Sequence, residues 1–404
     1  MKSQHYNTKP LCGAACLMLL SLSAHSEFLG YVGLQARAYP MAAAAPEQGS
    51  ETVSVVVAPE WFSQWNDGDD SFNIKAFYRY DSLDDERSHA DLREFYWQRV
   101  GSSWELSVGI NTVFWGVTES QHLVDIINQT DFLESADGED KLGQPMIHFA
   151  SIQNWGVIDV FVLPQFRPRD FAGNEGRLRS IPATVNSQES YQSSKDDKHI
   201  DYALRWSHYL GDWNLGLSWF QGTSREPLYQ TIIQGGAVAL AAYYPLIEQS
   251  GIDAQYISGD WLWKLEAIHR RGLGHSNAED MSASTAGFEY TFTGINSQFW
   301  DLGILLEYSY DNRSNAQVGA FQNDLFSGGR LSLNDIASTE ILFGISQDLD
   351  DGDSRSAIIE ASTRLGDSIR LVGELYHFHS TQVRDPLYSV RKDSYVELAL
   401  EFYF

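Results

Sequence analysis

Long segments of this sequence place apolar residues at every second position. In 104–114 the even-numbered positions hold Trp, Leu, Val, Ile, Thr and Phe, whereas the odd-numbered positions are mostly small or polar. The segments 213–220 and 300–310 repeat the pattern. Successive side chains of a β-strand point to opposite faces, so the alternation predicts strands with one apolar and one polar face. The runs span about 10 to 13 residues, which is longer than an average globular strand and long enough for a tilted strand to cross a bilayer.

A soluble antiparallel sandwich with one wet face would give the same alternation. Two further features favour a membrane barrel. Aromatic residues cluster toward the ends of the apolar rows, where a spanning strand meets the lipid–water interface. The opposite rows carry small or charged residues, which would pack a sandwich core poorly but suit a water-filled lumen. The aromatic set comprises Trp61, Trp104, Trp206, Trp213, Trp263, Trp300 and Tyr308.

The chain ends in another amphipathic segment. Its apolar row, spaced by two, is Val396, Leu398, Leu400, Phe402 and Phe404. Lipid offers no hydrogen-bond partner to an open sheet edge, so a sheet of such strands must close on itself.

The same alternation can be followed through the whole body of the chain. Strands are predicted at 28–39, 51–63, 71–82, 88–99, 103–115, 145–154, 156–166, 199–210, 213–222, 251–259, 261–272, 283–294, 298–310, 319–333, 336–348, 354–365, 368–380 and 393–404. Tight turns rich in Gly, Asn and Asp alternate with longer connections, and 18 strands place all the tight turns on the periplasmic side. We therefore predict an all-β, closed antiparallel transmembrane β-barrel of about 18 strands within 27–404, with 16 strands as the alternative. Its long extracellular loops are 116–144, 167–198 and 223–250.

The first 26 residues have the composition of a secretory signal peptide. Lys2 and Lys9 precede an apolar stretch at 11–22, and Ala24-His25-Ser26 offers small residues for cleavage after Ser26. A buried amphipathic helix is the alternative, but it would need a polar face. Both cysteines, Cys12 and Cys16, lie in this segment, so 27–404 offers no disulfide, thiol nucleophile or Cys metal ligand.

The chain is strongly acidic. It carries 28 basic and 54 acidic residues, a net charge of −26, which repels phosphate backbones and excludes nucleic acid as a partner. Acidic loops such as 81–86 and 348–353 would suit a surface bridged to lipopolysaccharide by divalent cations, although solvated loops explain them as well.

Strand parity assigns a charged row to the lumen. The predicted pore-lining residues are Lys75, Arg79, Glu105, Asp201, Arg205, Lys264, Glu266, Arg270, Glu289, Glu307, Glu340, Glu360, Arg364, Arg370 and Glu374. Of these residues, Glu360, Arg364, Arg370 and Glu374 lie on neighbouring strands and could form ion pairs across the wall. A wet pore lined in this way would favour cationic or neutral polar solutes, and a plugged, salt-bridged interior is the alternative.

Two of the long loops are too apolar to extend into water. Loops 116–144 and 223–250 could constrict or plug the pore, bind an apolar substrate, or cap the barrel. For a constriction, the polar candidates in the first loop are Asp125, Asn128, Asp131 and Glu134.

Motifs for an enzyme or a cofactor are weak. His377, His379 and Ser380 near the outer end of a strand lack a convincing third catalytic partner. Residues 348–353 resemble part of a calcium loop, but Ile359 stands at its twelfth position where Glu is required. We predict no catalytic residue, no metal site and no cofactor.

Several stretches resemble porin-like outer-membrane barrels of Gram-negative proteobacteria, and more narrowly an uncharacterised family of such barrels. They are 114–120 (FWGVTES), 126–131 (IINQTD), 141–146 (KLGQPM), 328–335 (GGRLSLND) and the strand ending in Phe404. The resemblance implies an outer-membrane location, assembly by the barrel-assembly machinery through the C-terminal strand, passive passage of small solutes, and possible assembly as a homo-oligomer. The 115–120 segment is also similar to barrels thought to act beside inner-membrane exporters, which gives an alternative function: uptake or export of hydrophobic molecules or lipids with such a transporter.

Overall fold

Eighteen strands of the computed structural model pair side by side in one antiparallel sheet that closes on itself. The structure describes residues 25–273, 279–296, 299–313 and 321–404, so most of the predicted signal peptide lies outside the described residues. The strands, in chain order, are β1 His25–Ala38, β2 Glu51–Trp65, β3 Asp70–Asp81, β4 Ala90–Val100, β5 Trp104–Asn111, β6 Gln144–Gln153, β7 Gly156–Leu163, β8 Ser190–Tyr191, β9 Asp201–Leu210, β10 Trp213–Thr223, β11 Leu228–Gln234, β12 Ala237–Tyr244, β13 Leu246–Ser258, β14 Trp261–Leu273, β15 Glu279–Ile295, β16 Trp300–Asp311, β17 Asn323–Ser332, β18 Glu340–Asp348, β19 Arg355–Arg364, β20 Ile369–His379 and β21 Tyr395–Tyr403. A single-turn helix, α1 Leu387–Val390, precedes β21.

The barrel closes between its first and last strands. β1 pairs with β2 on one side and with β21 on the other, in a register that sets Tyr31 opposite Tyr403. Beyond the last pair, the Phe404 N–H donates to the Gly30 carbonyl at 3.1 Å, and the rings of Phe28 and Phe404 lie 5.5 Å apart. The predicted 18-stranded closed barrel is thus confirmed, and each predicted strand overlaps one barrel strand. The strand predicted at 103–115 ends earlier than expected, at Asn111.

The outer face of the wall is apolar. Side chains of the predicted outward row, such as Leu34, Val108, Leu217, Ile304 and Leu398, are exposed on the barrel surface, as lipid-facing residues of a spanning strand would be. Trp104, Trp213, Trp261 and Trp300 begin strands at the rim with the short turns. Exposed tyrosines mark the opposite rim: Tyr78, Tyr80, Tyr202, Tyr308 and Tyr310.

The two rims differ in the length of their connections. Short turns join β2 to β3, β4 to β5, β6 to β7, β9 to β10, and β13 to β14 on one side. The opposite rim carries the long segments 39–50, 112–143, 164–200 and 224–245. In the described residues no helix is long and apolar enough to span a membrane.

The segment 223–250 departs from its sequence interpretation as one loop. Residues 228–244 form the hairpin β11–β12, which turns at Gly235 and Gly236 and pairs in parallel with β8. The barrel strand β13 begins at Leu246, five residues earlier than the predicted 251. Residues 246–250 lie between Pro245 and Gly251. Their apolar and polar side chains alternate less clearly than those in the remainder of the strand.

Candidate functional site in the barrel lumen

The segment 112–143, named here the inner loop, lies inside the barrel. Its residues Val124, Ile126 and Ile127 are buried in one apolar cluster with side chains of the barrel wall. The wall contributes inward-facing apolar residues from seven strands: Met146, Phe161, Leu163, Ala203, Phe220, Ile247, Ile268, Met281 and Ala283. Burial of these side chains on both sides stabilises the loop against the β6–β15 half of the wall.

A carboxylate of β14 binds residues 117–124, named here the descending part of the inner loop. Glu266 is fully buried and its Oε1 accepts hydrogen bonds from the Val117 N–H at 2.7 Å, the Thr118 N–H at 3.0 Å and the Thr118 hydroxyl at 2.8 Å. Its Oε2 accepts the Val124 N–H at 3.1 Å. A charged acceptor satisfies three backbone donors that would otherwise be buried without partners.

A second carboxylate, on β16, binds the next two residues. Glu307 accepts the Glu119 N–H at 2.9 Å, the Ser120 N–H at 2.8 Å and the Ser120 hydroxyl at 2.7 Å. Glu119 in turn reaches Arg330 of β17 at 2.8 Å. The 115–120 sequence is therefore the part of the inner loop that docks on two wall glutamates.

Residues 131–134, named here the returning part of the inner loop, are bound by arginines of β3 and β4. The Arg79 Nε donates to Glu134 at 2.7 Å, and the Arg93 Nη2 donates to Asp131 at 2.6 Å. Burial raises the pKa of the Asp131 carboxyl, but hydrogen bonds and charges from His89 and Arg93 outweigh burial and lower it to about 2. Asp131 is therefore ionised at neutral pH and remains paired.

The other two polar loop residues, Asn128 and Asp125, also form polar contacts. The Asn128 amide donates to the carbonyls of Asn111 and Leu142, both at 2.9 Å. Asp125 lies 3.0 Å from the Lys141 ammonium. Burial nevertheless keeps the pKa of the Asp125 carboxyl above its usual range. Of the four candidates proposed for a constriction, Asn128, Asp131 and Glu134 thus bind the inner loop to barrel strands. Asp125 pairs within the loop, and Asp125 and Asn128 also border the open space.

The inner loop leaves a cavity of about 1380 Å³ in the half of the lumen near the long loops. Its wall side comes mostly from β17–β20. Phe326, Leu342, Ile358, Tyr376 and Phe378 make most of it apolar, and Ser346, Ser356 and Glu360 are its polar members. The loop side is mixed, with Leu123, Phe132, Asp137, Lys141, Arg169, Phe171 and Tyr229 among its residues.

The predicted pore-lining residues fall into three groups. Three bind the inner loop, namely Arg79, Glu266 and Glu307, while Lys264 lies within 4 Å of Glu119 and Glu289. Five are paired on the wall or the loops: Asp201 with Arg225, Arg205 with Asp253, Arg270 with Glu226, Lys75 with Glu60, and Arg370 with Glu401. The remainder, including Glu105, Glu340, Glu360, Arg364 and Glu374, are half-buried or exposed.

The predicted ion pairing between β19 and β20 is wrong. The register places Glu360 directly opposite Glu374, and Arg364 directly opposite Arg370. The turn at 365–368 fixes this register, which brings like charges together instead of opposite ones. Arg370 turns instead toward Glu401, at 3.7 Å.

Sequence reasoning missed several lumen arginines. Arg37 donates to Glu397 of β21 at 2.7 Å and also reaches the Glu134 carbonyl, and Arg87 pairs with Asp81 at 2.6 Å. Strand parity would have assigned Arg37 and Arg330 to the inward row, because both alternate with outward apolar residues. Arg87 lies in a loop, where alternation gives no signal.

One group of side chains has the composition of a metal site. A nitrogen of His89 and carboxylate oxygens of Asp131 and Glu134 lie within 4.8 Å of one another. Arg79 and Arg93 already bind these two carboxylates, and their positive charges would oppose a cation. The arrangement fits an ion-pair network better than a metal centre.

His377, one of the residues considered for catalysis, takes part in a contact between two strands. His377 is exposed on the outer face of β20, where its Nδ1 lies 3.2 Å from the Ser394 hydroxyl. That hydroxyl also accepts the Phe378 N–H at 3.1 Å, which joins the rim of β20 to the start of β21.

Comparisons with known proteins bear on the architecture. No protein-family model matches this sequence, and no curated protein sequence is similar to it. Similar solved structures include OmpT, an outer membrane protein of Vibrio cholerae in its trimer form, at 9% identity and a TM-score of 0.48, covering 94% of this chain and 99% of that chain. A triple mutant of the Rhodopseudomonas blastica porin is 12% identical with a TM-score of 0.46, covering 94% of this chain and 100% of that one. Such likenesses concern the fold alone, and the barrel described above rests on its own strand pairing.

Proposed function

We propose that this chain is a porin-like channel of the bacterial outer membrane that lets small solutes diffuse past the inner loop. The observation that carries the proposal is the open space left along the β17–β20 wall, with a cavity of about 1380 Å³. Toward the rim with the short turns, charged lumen side chains remain in contact with water. Lys75, Arg330 and Arg370 keep 41%, 38% and 41% of their side-chain surface exposed.

The outer face of the barrel supports the membrane location. A continuous row of exposed Leu, Val, Ile and Phe around a closed sheet, with aromatic residues at both rims, is the surface that a bilayer requires. Lipid therefore contacts the wall, and lipopolysaccharide would contact the long loops. The exposed strand end at Phe404 is the segment that the barrel-assembly machinery would recognise. The barrel would perform no chemistry.

The charge of the pathway supports passage of cationic or neutral polar solutes. The whole chain carries −26, and such a field concentrates cations near the mouth of a narrow pore. The arginines of the lumen lower this preference only partly, because Arg37, Arg79 and Arg205 are each bound to a carboxylate.

Reconstitution into planar bilayers tests the proposal. Residues 27–404, refolded in detergent and added to one side in KCl, should give stepwise conductance increments, and a salt gradient should give a reversal potential of the sign expected for cation selectivity. A heat-modifiable, folded barrel that never produces steps would overturn the channel proposal.

The apolar cavity favours one alternative, uptake or export of hydrophobic molecules together with an inner-membrane transporter. The apolar residues of β17–β20 that face the cavity would provide the surface for such a molecule. Gentle extraction from outer membranes followed by mass spectrometry distinguishes the two functions: a stoichiometric lipid or hydrocarbon supports the alternative, and its absence together with stepwise conductance supports the channel.

A further inference from the structure

The cavity beside β17–β20 combines aromatic side chains with carboxylates that form no ion pair among the described residues. Tyr376 and Phe378 of β20 stack with ring centroids 6.2 Å apart, and Tyr376 also stacks on Tyr395 of β21 at 5.0 Å. Phe326 of β17 and Ile358 of β19 extend this surface around the cavity. Leu178, Leu387 and Val390 pack against this aromatic cluster and also line the cavity. Tyr376 and Phe378 keep 6% and 8% of their surface exposed, so a ligand would meet parts of both rings together with these aliphatic side chains.

Two carboxylates border the same wall. The Tyr376 hydroxyl donates to Glu360 at 2.6 Å and lies 3.4 Å from Asp137 of the inner loop. Both carboxylates line the cavity.

The backbone register adds a second, independent observation. Glu360 of β19, Glu374 of β20 and Glu397 of β21 stand directly opposite one another on three neighbouring strands. Like charges in directly opposed positions destabilise a sheet. Arg37 compensates Glu397 at 2.7 Å, whereas Glu360 and Glu374 gain no ion pair within 4 Å among the described residues. A cation from outside the chain would reduce the repulsion in this row.

The basic residues that line the cavity are Lys141, Arg169, Arg179, Arg225, Arg270 and Arg313. Lys141 is bound to Asp125 and Arg179 to Glu47, both at 3.0 Å, and Arg169 lies over the Phe132 ring. Arg225 is bound to Asp201 at 2.7 Å, and Arg270 and Arg313 share Glu226 at 3.1 and 3.4 Å. These groups belong to the loop side and to β14, away from β19 and β20. The charge that the aromatic wall presents to a ligand is therefore negative.

We propose that this cavity is a selectivity site for organic cations with an apolar or aromatic body, whose charged nitrogen sits between Glu360 and Asp137 and whose body packs on Tyr376 and Phe378. The inference rests on the proposed channel and names its preferred solute class. The ring faces attract a cation in addition to the carboxylates, and the apolar body gains from leaving water. A small inorganic cation would use only the charges, and an aromatic anion only the rings.

Block of the open channel by three probes separates these contributions. Benzyltrimethylammonium carries ring and charge, tetramethylammonium carries the charge alone, and benzoate carries the ring with the opposite charge. Benzyltrimethylammonium should block KCl current at about tenfold lower concentration than tetramethylammonium, and benzoate should not block. Equal block by the two cations, or stronger block by benzoate, would overturn the proposal.

Variants locate the block within the cavity. Glu360→Gln and Asp137→Asn should each weaken block by benzyltrimethylammonium about tenfold, because each removes one unpaired charge near the nitrogen. Glu340→Gln is the matched control, since it removes the same charge from the inward row of β18 outside the cavity, and it should leave block unchanged. Tyr376→Leu should reduce the advantage of the benzyl compound over tetramethylammonium about fivefold.

Two readouts keep the inference separate from the channel proposal. Heat-modifiable migration on gels shows that each variant is a folded barrel, and KCl conductance shows that it is a channel. A folded variant set that conducts but shows the same block as wild type overturns the site alone. A folded wild type without conductance overturns the channel proposal. Binding of benzyltrimethylammonium is then measured by calorimetry, and the absence of binding overturns the proposed site.

Discussion

Thr118 donates both its backbone N–H and its hydroxyl to the same oxygen of Glu266, at 3.0 and 2.8 Å, across 148 residues of sequence. The contact attaches the inner loop to the barrel wall at a position where both partners are buried. A carboxylate with two acceptor oxygens is the group that can serve several donors from one direction.

Replacing this carboxylate should free the descending part of the inner loop. In Glu266→Gln one oxygen becomes an NH₂ donor, which faces the N–H groups that the carboxylate accepted, so loop docking should weaken by about 1–3 kcal/mol. Residues 27–404 contain no Cys, so a Gln121→Cys reporter between the two docking points can be labelled with a membrane-impermeant maleimide. Its labelling rate should rise at least about fivefold.

Glu105→Gln serves as the control for that labelling experiment. Glu105 faces the lumen from β5 and accepts a hydrogen bond from Gln98 at 3.0 Å, not from the inner loop. Its variant should label at the wild-type rate. If Glu266→Gln labels as slowly as Glu105→Gln, the carboxylate does not hold the loop.

The returning part of the loop should respond to pH through His89. Burial alone lowers the pKa of the His89 imidazole, but Asp131 at 3.3 Å and Glu134 at 3.7 Å outweigh burial and raise it. The charged imidazole thus stabilises loop docking fully below its unfolded pKa of about 6.5, and this contribution is lost as the pH rises through the folded value. Labelling of a Ser135→Cys reporter should be slower at pH 5.5 than at pH 8.5, after correction for thiol ionisation.

The variant His89→Gln shows how much of that pH dependence belongs to this residue. Glutamine keeps a polar contact to Asp131 without a titrating charge, so the difference between the two pH values should shrink. His122 near Glu139 has a raised pKa of the same sign and can leave a residual effect. An identical pH dependence in wild type and His89→Gln would show that His89 does not contribute.

The row of glutamates on β19, β20 and β21 leads to a pair of substitutions with opposite effects. Glu374→Gln removes repulsion from Glu360 and Glu397, so it should raise the free energy of unfolding by about 0.2–1 kcal/mol. Glu397→Gln removes the partner of the buried Arg37, bound at 2.7 Å, and should lower it by about 3–5 kcal/mol. Urea unfolding in detergent micelles, followed by Trp fluorescence, measures both. A destabilised Glu374→Gln barrel would show that the opposed carboxylates are not strained.

The sequence predicted the wall of the barrel because each barrel strand crosses lipid on one face and water on the other. Every spanning strand therefore shows the same alternation of apolar and polar residues, whichever strands it pairs with. The hairpin β11–β12 was missed because Ile232 and Ile233 follow each other without alternation, although Gly235-Gly236 between two apolar runs is itself a hairpin signal.

The interior was less predictable, since it depends on contacts between residues far apart in the chain. Parity assigned Glu266 and Glu307 to the inward row but gave no indication that loop N–H groups would bind them. The pairing of Glu360 with Glu374 depends on the length of one turn, and a shift of a single residue would have changed every neighbour of both side chains.

The closing seam offers a test of how the barrel completes itself. Phe404 adds one hydrogen bond to Gly30 at 3.1 Å and one ring contact with Phe28 at 5.5 Å beyond the last paired residues of β21. Phe404→Ala should remove the ring contact at the seam and reduce the fraction of chains that become heat-modifiable barrels in outer-membrane preparations, several-fold if the terminal ring is also the assembly signal. Phe299→Ala is the matched control, because Phe299 is 84% exposed at a turn of the same rim and should leave the assembled fraction unchanged. Equal assembly of the two variants would show that the terminal ring is dispensable for closing the barrel.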